Sequence, residues 1–248
     1  MQWRADGRTA GPGSYSLTMP RLTLLALLLA CSRPEPAAEA PPTTAAPTTG
    51  SAAPPRIPAP AMSYLGADWL TRSERITEEQ PEAMLDALRI TPGMRVADIG
   101  AGVGYHALRI SPRVGATGTV FATDLQPEML DLLRTAVGAA GVTNIEPVLS
   151  LDRSTGLPDA TIDLALMVDV YHELAEPAAF MHDLRRALAP TGRVALVEFR
   201  GEDPNVPIKE EHKMTVAQVD AELASYGFTR CERHEFLPWQ HLLIYCRD

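Results

Sequence analysis

The chain lacks two features that would assign it to large classes of protein. It contains no long cluster of basic residues: 22 Lys and Arg face 31 Asp and Glu, a formal net charge of −9. Phosphate binding needs a basic surface, so this balance disfavours nucleic acid as a partner. It also lacks an apolar run of the roughly 20 residues that a membrane-spanning helix needs. Cysteine is scarce, with three in 248 residues.

The longest apolar run lies near the N-terminus and is followed directly by a cysteine. Met19-Pro20-Arg21 precedes residues 22–30, a run of the length found in secretory signals. Its end, Leu28-Leu29-Ala30-Cys31, resembles the lipobox of bacterial lipoproteins, which implies a lipid on Cys31 and a membrane-anchored domain on the periplasmic or extracellular face. We expect translation to start at Met19. The alternatives are a chance apolar patch, and a cytoplasmic protein whose signal is not used.

The sequence predicts three regions. Residues 1–31 form the leader and signal, and residues 32–61, rich in Pro, Ala and Thr, form a disordered tether that cannot bury enough apolar surface to fold. Residues 62–248 have the size of one domain with a single core.

Glycines follow a predicted strand at every second position. The predicted strand Val96-Ala97-Asp98-Ile99 is followed by Gly100, Gly102 and Gly104, and a helical pattern begins at Tyr105. Such a turn lets backbone approach a ligand closely. A second apolar strand ends about twenty residues later at Asp124, where a carboxylate can accept hydrogen bonds from ribose hydroxyls. Together the two motifs predict a nucleoside-containing cofactor.

Apolar periodicity predicts alternating strands and helices, typical of a parallel sheet covered on both faces. We predict an α/β, three-layer Rossmann-like fold with a seven-stranded sheet, mostly parallel with the last strand antiparallel. The predicted strands are Arg95–Ile99, Thr119–Thr123, Ile145–Leu149, Ile162–Val168, Arg193–Phe199, Phe228–Phe236 and His241–Tyr245. The predicted helices are Glu78–Leu88, Tyr105–Ile110, Pro127–Val137, Pro177–Leu188 and Val216–Tyr226.

Four segments in this order resemble the class I S-adenosylmethionine-dependent methyltransferases. They are the glycine segment 98–104, Asp124 at the end of the second strand, the segment 157–163 that enters the fourth strand, and residues 224–228 before the last hairpin. The resemblance covers nearly the whole domain and implies methyl transfer from S-adenosylmethionine to an acceptor, which we expect to be a small molecule. The cofactor-binding residues it implies are Asp98, Gly100, Ala101, Gly102, Gly104, Asp124, Leu125, Asp152 and Asp169.

Some of these assignments have structural alternatives. Asp98 can fix the cofactor's amino group or simply cap the turn. Asp152 lies one residue further from Leu157-Pro158 than the family pattern has it, so it is either an adenine ligand or a solvated loop aspartate.

The end of the fourth strand should border the transferred methyl group, because carboxyl ends of parallel strands face the ligand crevice. His172 is the candidate general base, or else a structural histidine, and Tyr171 is either a catalytic contact to the sulfonium or part of the core. The segment lacks the Asn/Asp-Pro-Pro-Tyr motif of enzymes that methylate amino groups of bases or glutamine, which disfavours DNA or a peptide amide as the methyl acceptor.

We expect no metal site.

Three further segments have expected roles. Residues 64–70, with Glu74 and Arg75, can close over the site as a lid. Residues 210–213 lie where the family that the chain resembles has substrate-covering insertions, but their charges lead us to expect a solvated loop. Cys231 and Cys246 are either a disulfide or two buried thiols.

Two other functions remain alternatives. A nicotinamide-dinucleotide oxidoreductase would carry the spacing G-x-G-x-x-G, whereas here the third glycine comes one residue early. A tethered module could bind a nucleoside-like ligand without transferring a methyl group. The second is suggested by the location, since S-adenosylmethionine is made in the cytoplasm and the predicted lipoprotein faces away from it.

Overall fold

The computed structural model describes residues 57–248, all of which lie in one compact unit, Thr49–Asp248. The predicted signal, Cys31 and most of the predicted tether lie outside the described residues. Contacts of the domain begin before the predicted boundary at Met62: Ala59 is buried, and its N–H donates to the carbonyl oxygen of His172 at 3.1 Å.

A twisted sheet forms the centre of the domain. Its strands are β1 (Arg95–Ile99), β2 (Thr119–Asp124), β3 (Ile145–Leu149), β4 (Ile162–Val168), β5 (Leu188–Arg200), β6 (Lys213–Met214), β7 (Phe228–His234) and β8 (Gln240–Arg247). The order is β3-β2-β1-β4-β5-β8-β7, with the two-residue β6 paired to β5 off this path. β1 to β5 run parallel, and β8 is antiparallel to both β5 and β7. The predicted fold is confirmed.

The described part of the chain contains six α-helices, of which the first two precede β1. They are α1 (Arg75–Glu78), α2 (Pro81–Ala87), α3 (Ala107–Val114), α4 (Pro127–Ala140), α5 (Pro177–Ala187) and α6 (Val216–Ser225). Short 3₁₀ helices cover Tyr64–Thr71, Tyr171–Glu173 and Glu210–His212. No helix among the described residues is long and apolar enough to cross a membrane.

The predicted helix Glu78–Leu88 is wrong at its start, because it is divided at Gln80. That residue has a φ of +47° and precedes Pro81, whose ring disfavours a helical conformation for the residue before it. Pro81 instead begins α2, where its missing N–H removes no hydrogen bond.

The two faces of the sheet pack against separate helix layers. Successive residues of a strand point to opposite faces, so Leu164 and Leu166 of β4 pack on one side and Ala165 and Met167 on the other. These four side chains are fully buried. Burial on both faces explains why the parallel strands are almost continuously apolar in sequence.

Cys231 and Cys246 form a disulfide between the neighbouring strands β7 and β8, with a Cα–Cα distance of 5.9 Å. This decides between the two alternatives for these cysteines. Cys231 is exposed rather than buried.

Candidate active site

A cavity of about 500 Å³ lies at the carboxyl ends of the parallel strands. The glycine loop after β1 and the end of β2 line one part of it, and the 3₁₀ turns at Tyr171–Glu173 and Glu210–His212 border another. Its volume is in the range of about 300–1,000 Å³ that small-molecule sites occupy. The chain reverses its strand order here, between β1 and β4, where open α/β sheets bind their ligands.

The glycine loop has the close approach that its sequence predicts. Gly100, Gly102 and Gly104 all have positive φ, at 68°, 54° and 89°. A Cβ on Gly100 would lie 2.5 Å from Cγ2 of Val170, and one on Gly102 would lie 2.8 Å from Cδ1 of Leu70. Gly100 and Gly102 line the cavity, so backbone rather than side chain is presented to a ligand.

Asp124 ends β2 at the cavity wall and is buried. Its two carboxylate oxygens accept hydrogen bonds from the N–H of Gly102 at 3.0 Å and of Gln126 at 2.9 Å. A carboxylate has about four acceptor positions, so capacity remains for ribose hydroxyls. Burial raises the pKa of Asp124 above its ordinary value, and these backbone donors partly offset that effect.

Asp98, Ala101 and Gly104 lie behind the loop rather than on the cavity wall. Asp98 is buried and its Oδ2 has no hydrogen-bond partner. Burial raises its pKa to about 7, although the N–H of Ala107 lowers it in part. Ala101 ties the loop to β2 through its N–H and the carbonyl oxygen of Thr123, 2.8 Å apart.

The predicted nucleoside edge lies along the same wall. Leu125 and Asp152 are exposed side chains at the cavity, and between them lies the buried Ser150. Gln126 links this edge to the N-terminal segment, since its Nε2 donates to the carbonyl oxygen of Met62 at 2.7 Å and its Oε1 accepts from the N–H of Tyr64 at 2.9 Å.

His172 also lines the cavity, and Glu198 contacts the side of its ring that carries Nδ1. Its Nδ1 lies 2.6 Å from Oε2 of Glu198, which is fully buried in β5 and also accepts from the N–H of Tyr171 at 2.9 Å. Burial lowers the pKa of His172, but the carboxylates of Glu198, Asp169 and Glu173 together outweigh this effect, and the net pKa is raised.

His212 and Glu173 lie beside His172. Nδ1 of His212 is 3.0 Å from Nε2 of His172, so the segment 210–213 is not the fully solvated loop that we expect from its charges. Burial lowers the pKa of His212, and the neighbouring His172 lowers it further. Burial raises the pKa of Glu173 to about 7.

Asp169 lines the cavity with a φ of +55°, uncommon for a residue with a side chain. Its Oδ2 accepts from Nε2 of Gln240 at 2.9 Å, while its buried Oδ1 has no partner. Burial raises its pKa well above the ordinary value, and the nearby Glu198 and Glu79 carboxylates raise it further.

Tyr171 is part of the core and not a contact to the cavity. Its side chain is 0% exposed, and its hydroxyl donates to Oε2 of Glu222 at 2.7 Å. Of the two alternatives for this residue, the structure therefore supports core packing, because the 3₁₀ turn directs Tyr171 into the sheet–helix interface and its neighbour His172 into the cavity.

The N-terminal segment covers the cavity as the lid hypothesis expects. Met62, Trp69 and Leu70 line it, and so does Arg75, which the sequence places in the same candidate lid segment. Arg75 is buried, paired with Glu79 at 2.7 Å, and its guanidinium lies over the ring of Tyr105, 4.0 Å from the centroid.

These residues fit S-adenosylmethionine. The two lining glycines leave backbone exposed where a Cβ would clash with Val170 and Leu70, and the Asp124 carboxylate stands at the wall with acceptor capacity. Asp169 also lines the cavity, and its buried Oδ1 has no hydrogen-bond partner among the described residues.

Comparison with known proteins assigns the domain. A family model described as a methyltransferase domain matches residues 97–196. A crystal structure of an S-adenosylmethionine-dependent methyltransferase from Aquifex aeolicus superposes with a TM-score of 0.72 at 26% identity, covering 76% of this chain and 100% of the other. Residues 97–196 thus match a methyltransferase domain, and the described fold is that of an S-adenosylmethionine-dependent methyltransferase.

Curated relatives match over a shorter stretch. The protein-L-isoaspartate O-methyltransferase of Methanocella arvoryzae is 33% identical over 124 residues, covering 48% of this chain and 65% of that protein. The ubiquinone/menaquinone biosynthesis C-methyltransferase UbiE of Paraburkholderia phymatum is 32% identical over 111 residues, covering 44% and 45%. The chain thus spans less than two thirds of the length of these relatives.

The methyltransferase domain implies S-adenosylmethionine as the cofactor. The matches give no support to the oxidoreductase alternative or to a binding module without transfer.

Proposed function

We propose that this protein transfers the methyl group of S-adenosylmethionine to a small-molecule acceptor bound in the same cavity. The observation that carries the proposal is the cavity itself, which joins the glycine loop and Asp124 to the polar group at His172. The cofactor supplies a methyl group already activated on a sulfonium, so the protein has to bind, orient and exclude water.

Different residues perform these tasks. Gly100 and Gly102 expose backbone to the cofactor, and Asp124 holds the ribose while it fastens the loop through the N–H of Gly102. Met62, Trp69 and Leu70 cover the cavity and shield it from solvent.

The cavity volume of about 500 Å³ is in the range of small-molecule sites, which favours a small acceptor, and the net charge of −9 argues against nucleic acid. The relatives are named for different acceptors, among them isoaspartate, quinone precursors and arsenite, so they do not select one for this chain.

The test is methyl transfer from S-adenosylmethionine labelled in its methyl group to a panel of hydroxyl, thiol, amine and carbon acceptors. We expect label in at least one product together with S-adenosylhomocysteine. His172→Asn should reduce that rate by about 10²-fold or more while cofactor affinity stays unchanged. The matched control is His182→Asn, because His182 is exposed on α5. Absence of label in every acceptor would refute transfer.

We propose further that a lipid on Cys31 anchors the domain outside the cytoplasm. The support is the signal-like segment before Cys31 and the disulfide Cys231–Cys246, since disulfides persist in oxidising compartments. A fatty-acid analogue fed to cells should label the protein, and Cys31→Ser should abolish the label. A cytosolic protein that the analogue does not label would contradict the anchor.

A further inference from the structure

Two histidines and a glutamate meet at the acceptor end of the cavity with the spacing of a metal site. One nitrogen of His172, one of His212 and a carboxylate oxygen of Glu173 all lie within 4.8 Å of one another. The residues come from two elements that are distant in sequence, the 3₁₀ turns Tyr171–Glu173 and Glu210–His212. The fold thus brings together ligand types that a local motif would not.

The distance between the two imidazoles agrees with shared coordination. Nε2 of His172 and Nδ1 of His212 are 3.0 Å apart. Two nitrogens at about 2.1 Å from one zinc ion are about 3.0 Å apart at a right angle and about 3.4 Å apart at the tetrahedral angle. The distance between the ring nitrogens, which is also that of a hydrogen bond between the two imidazoles, is therefore compatible with one shared ion.

Glu198 provides an independent observation that points to a ligand. It is fully buried, and its Oε2 accepts a hydrogen bond from Nδ1 of His172 at 2.6 Å. Metal-ligating histidines commonly donate their second ring nitrogen to a carboxylate in this way, which fixes the ring and leaves the other nitrogen as the donor to the ion. In neutral His172 that donor is Nε2, the atom that faces His212.

The charge around the site also favours a cation. Besides Glu173 and Glu198, Asp169 lies near His172 and carries an unpartnered buried oxygen. The described residues that line this cavity include two cations, Arg75 and Lys209, of which Arg75 is paired with Glu79.

We propose that His172, His212 and Glu173 bind a divalent transition-metal ion, with zinc as the best fit. Imidazole ligands suit zinc, whereas Mg²⁺ and Ca²⁺ prefer all-oxygen sets. Two histidines and one glutamate form a three-ligand set that leaves a fourth position for water or substrate, and here that position faces the cavity. His172 is then a metal ligand, in place of the general base expected from sequence.

The test is calorimetric titration of the chelator-treated, tag-free full chain with ZnCl₂, in a Cys31→Ser background so that no free thiol competes. We expect one ion per chain. His212→Ala and Glu173→Gln should each weaken zinc affinity by at least 10-fold, while His182→Ala, which alters an exposed histidine on α5, should change it by less than twofold.

Two results would overturn the metal site: no zinc binding by the parent chain, or binding that neither His212→Ala nor Glu173→Gln weakens. The free energy of unfolding, measured on the same samples, monitors folding, because the Glu173 carboxylate interacts with Asp124 and its replacement can change cofactor binding directly. S-adenosylmethionine binding is measured as a separate readout. The zinc titration needs neither cofactor nor acceptor. Cofactor binding without zinc binding would therefore refute only the metal site. Zinc binding without cofactor binding would refute only the proposed methyl transfer.

Discussion

Gly100 lies directly against Val170: a Cβ on the glycine would be 2.5 Å from Cγ2 and 3.0 Å from Cγ1 of the valine. The backbone after β1 therefore packs directly against the Val170 side chain in the turn after β4. With a φ of +68°, Gly100 also has a backbone conformation that side chains disfavour.

Replacing Gly100 by Ala should damage both stability and cofactor binding. Strain and the clash together should lower the free energy of unfolding by about 1–3 kcal/mol, and affinity for S-adenosylmethionine should fall at least 10-fold. Gly138→Ala is the control, because Gly138 lies in α4, where an added Cβ would meet no atom within 4 Å, and its replacement should stabilise the helix slightly. Equal affinities in the two variants would argue against the close approach.

Stability should depend on pH through Asp98. Its carboxyl keeps its proton up to a pKa of about 7 in the fold, whereas the unfolded chain releases it near the ordinary value of 3.8. The native state thus binds more protons between these values, so the free energy of unfolding falls as pH rises from about 4 through 7, by at most about 4 kcal/mol from this group.

Denaturant titrations at pH 5 and pH 8 check this prediction. Asp98→Asn should reduce the difference between the two pH values, without abolishing it, because burial also raises the pKa of Asp169 and Glu173. A variant that retains the full difference would show that Asp98 is not responsible.

Tyr171→Phe tests whether this residue belongs to the core. The change removes the hydroxyl that donates to the buried Glu222 at 2.7 Å, so the free energy of unfolding should fall by about 1–3 kcal/mol. Affinity for S-adenosylmethionine should remain within twofold, because the ring does not reach the cavity. Loss of affinity with unchanged stability would instead favour a sulfonium contact.

Removing the disulfide should destabilise the C-terminal hairpin without affecting the site. Cys231 and Cys246 close a loop with a sequence separation of 15, for which chain entropy predicts about 3 kcal/mol. The double change Cys231→Ser and Cys246→Ser should lower the unfolding midpoint, and a reducing agent should lower it in the parent chain but not in the variant. A parent chain that the reductant leaves unaffected would indicate free thiols.

Much of the fold is predictable from sequence because local pattern and global topology agree. β1, β3 and β4 have the predicted bounds, and a Gly, Ser or Asp residue follows each of them directly. The break at Gln80 is harder to predict, because Pro81 is compatible both with continuing the helical pattern as a kink and with starting a new helix.

The acceptor end is less predictable. His172 and His212 are 40 positions apart, and only the pairing of β6 with β5 brings the charged segment 210–213 to the cavity. Glu198 left a signal in the sequence, as one carboxylate within the apolar strand β5, where an unpaired charge would be costly. The sequence does not identify its partner, because it does not show which of the adjacent residues Tyr171 and His172 points toward β5.

Calorimetric titration of the full chain with S-adenosylmethionine tests the central claim most directly. Asp124 holds both the glycine loop and, in our account, the ribose, so the parent chain should bind one equivalent, and Asp124→Ala should weaken binding at least 10-fold. Asp131→Ala, which alters an exposed carboxylate on α4, should bind like the parent. Absence of binding by the parent chain, or equal binding by Asp124→Ala, would contradict the account.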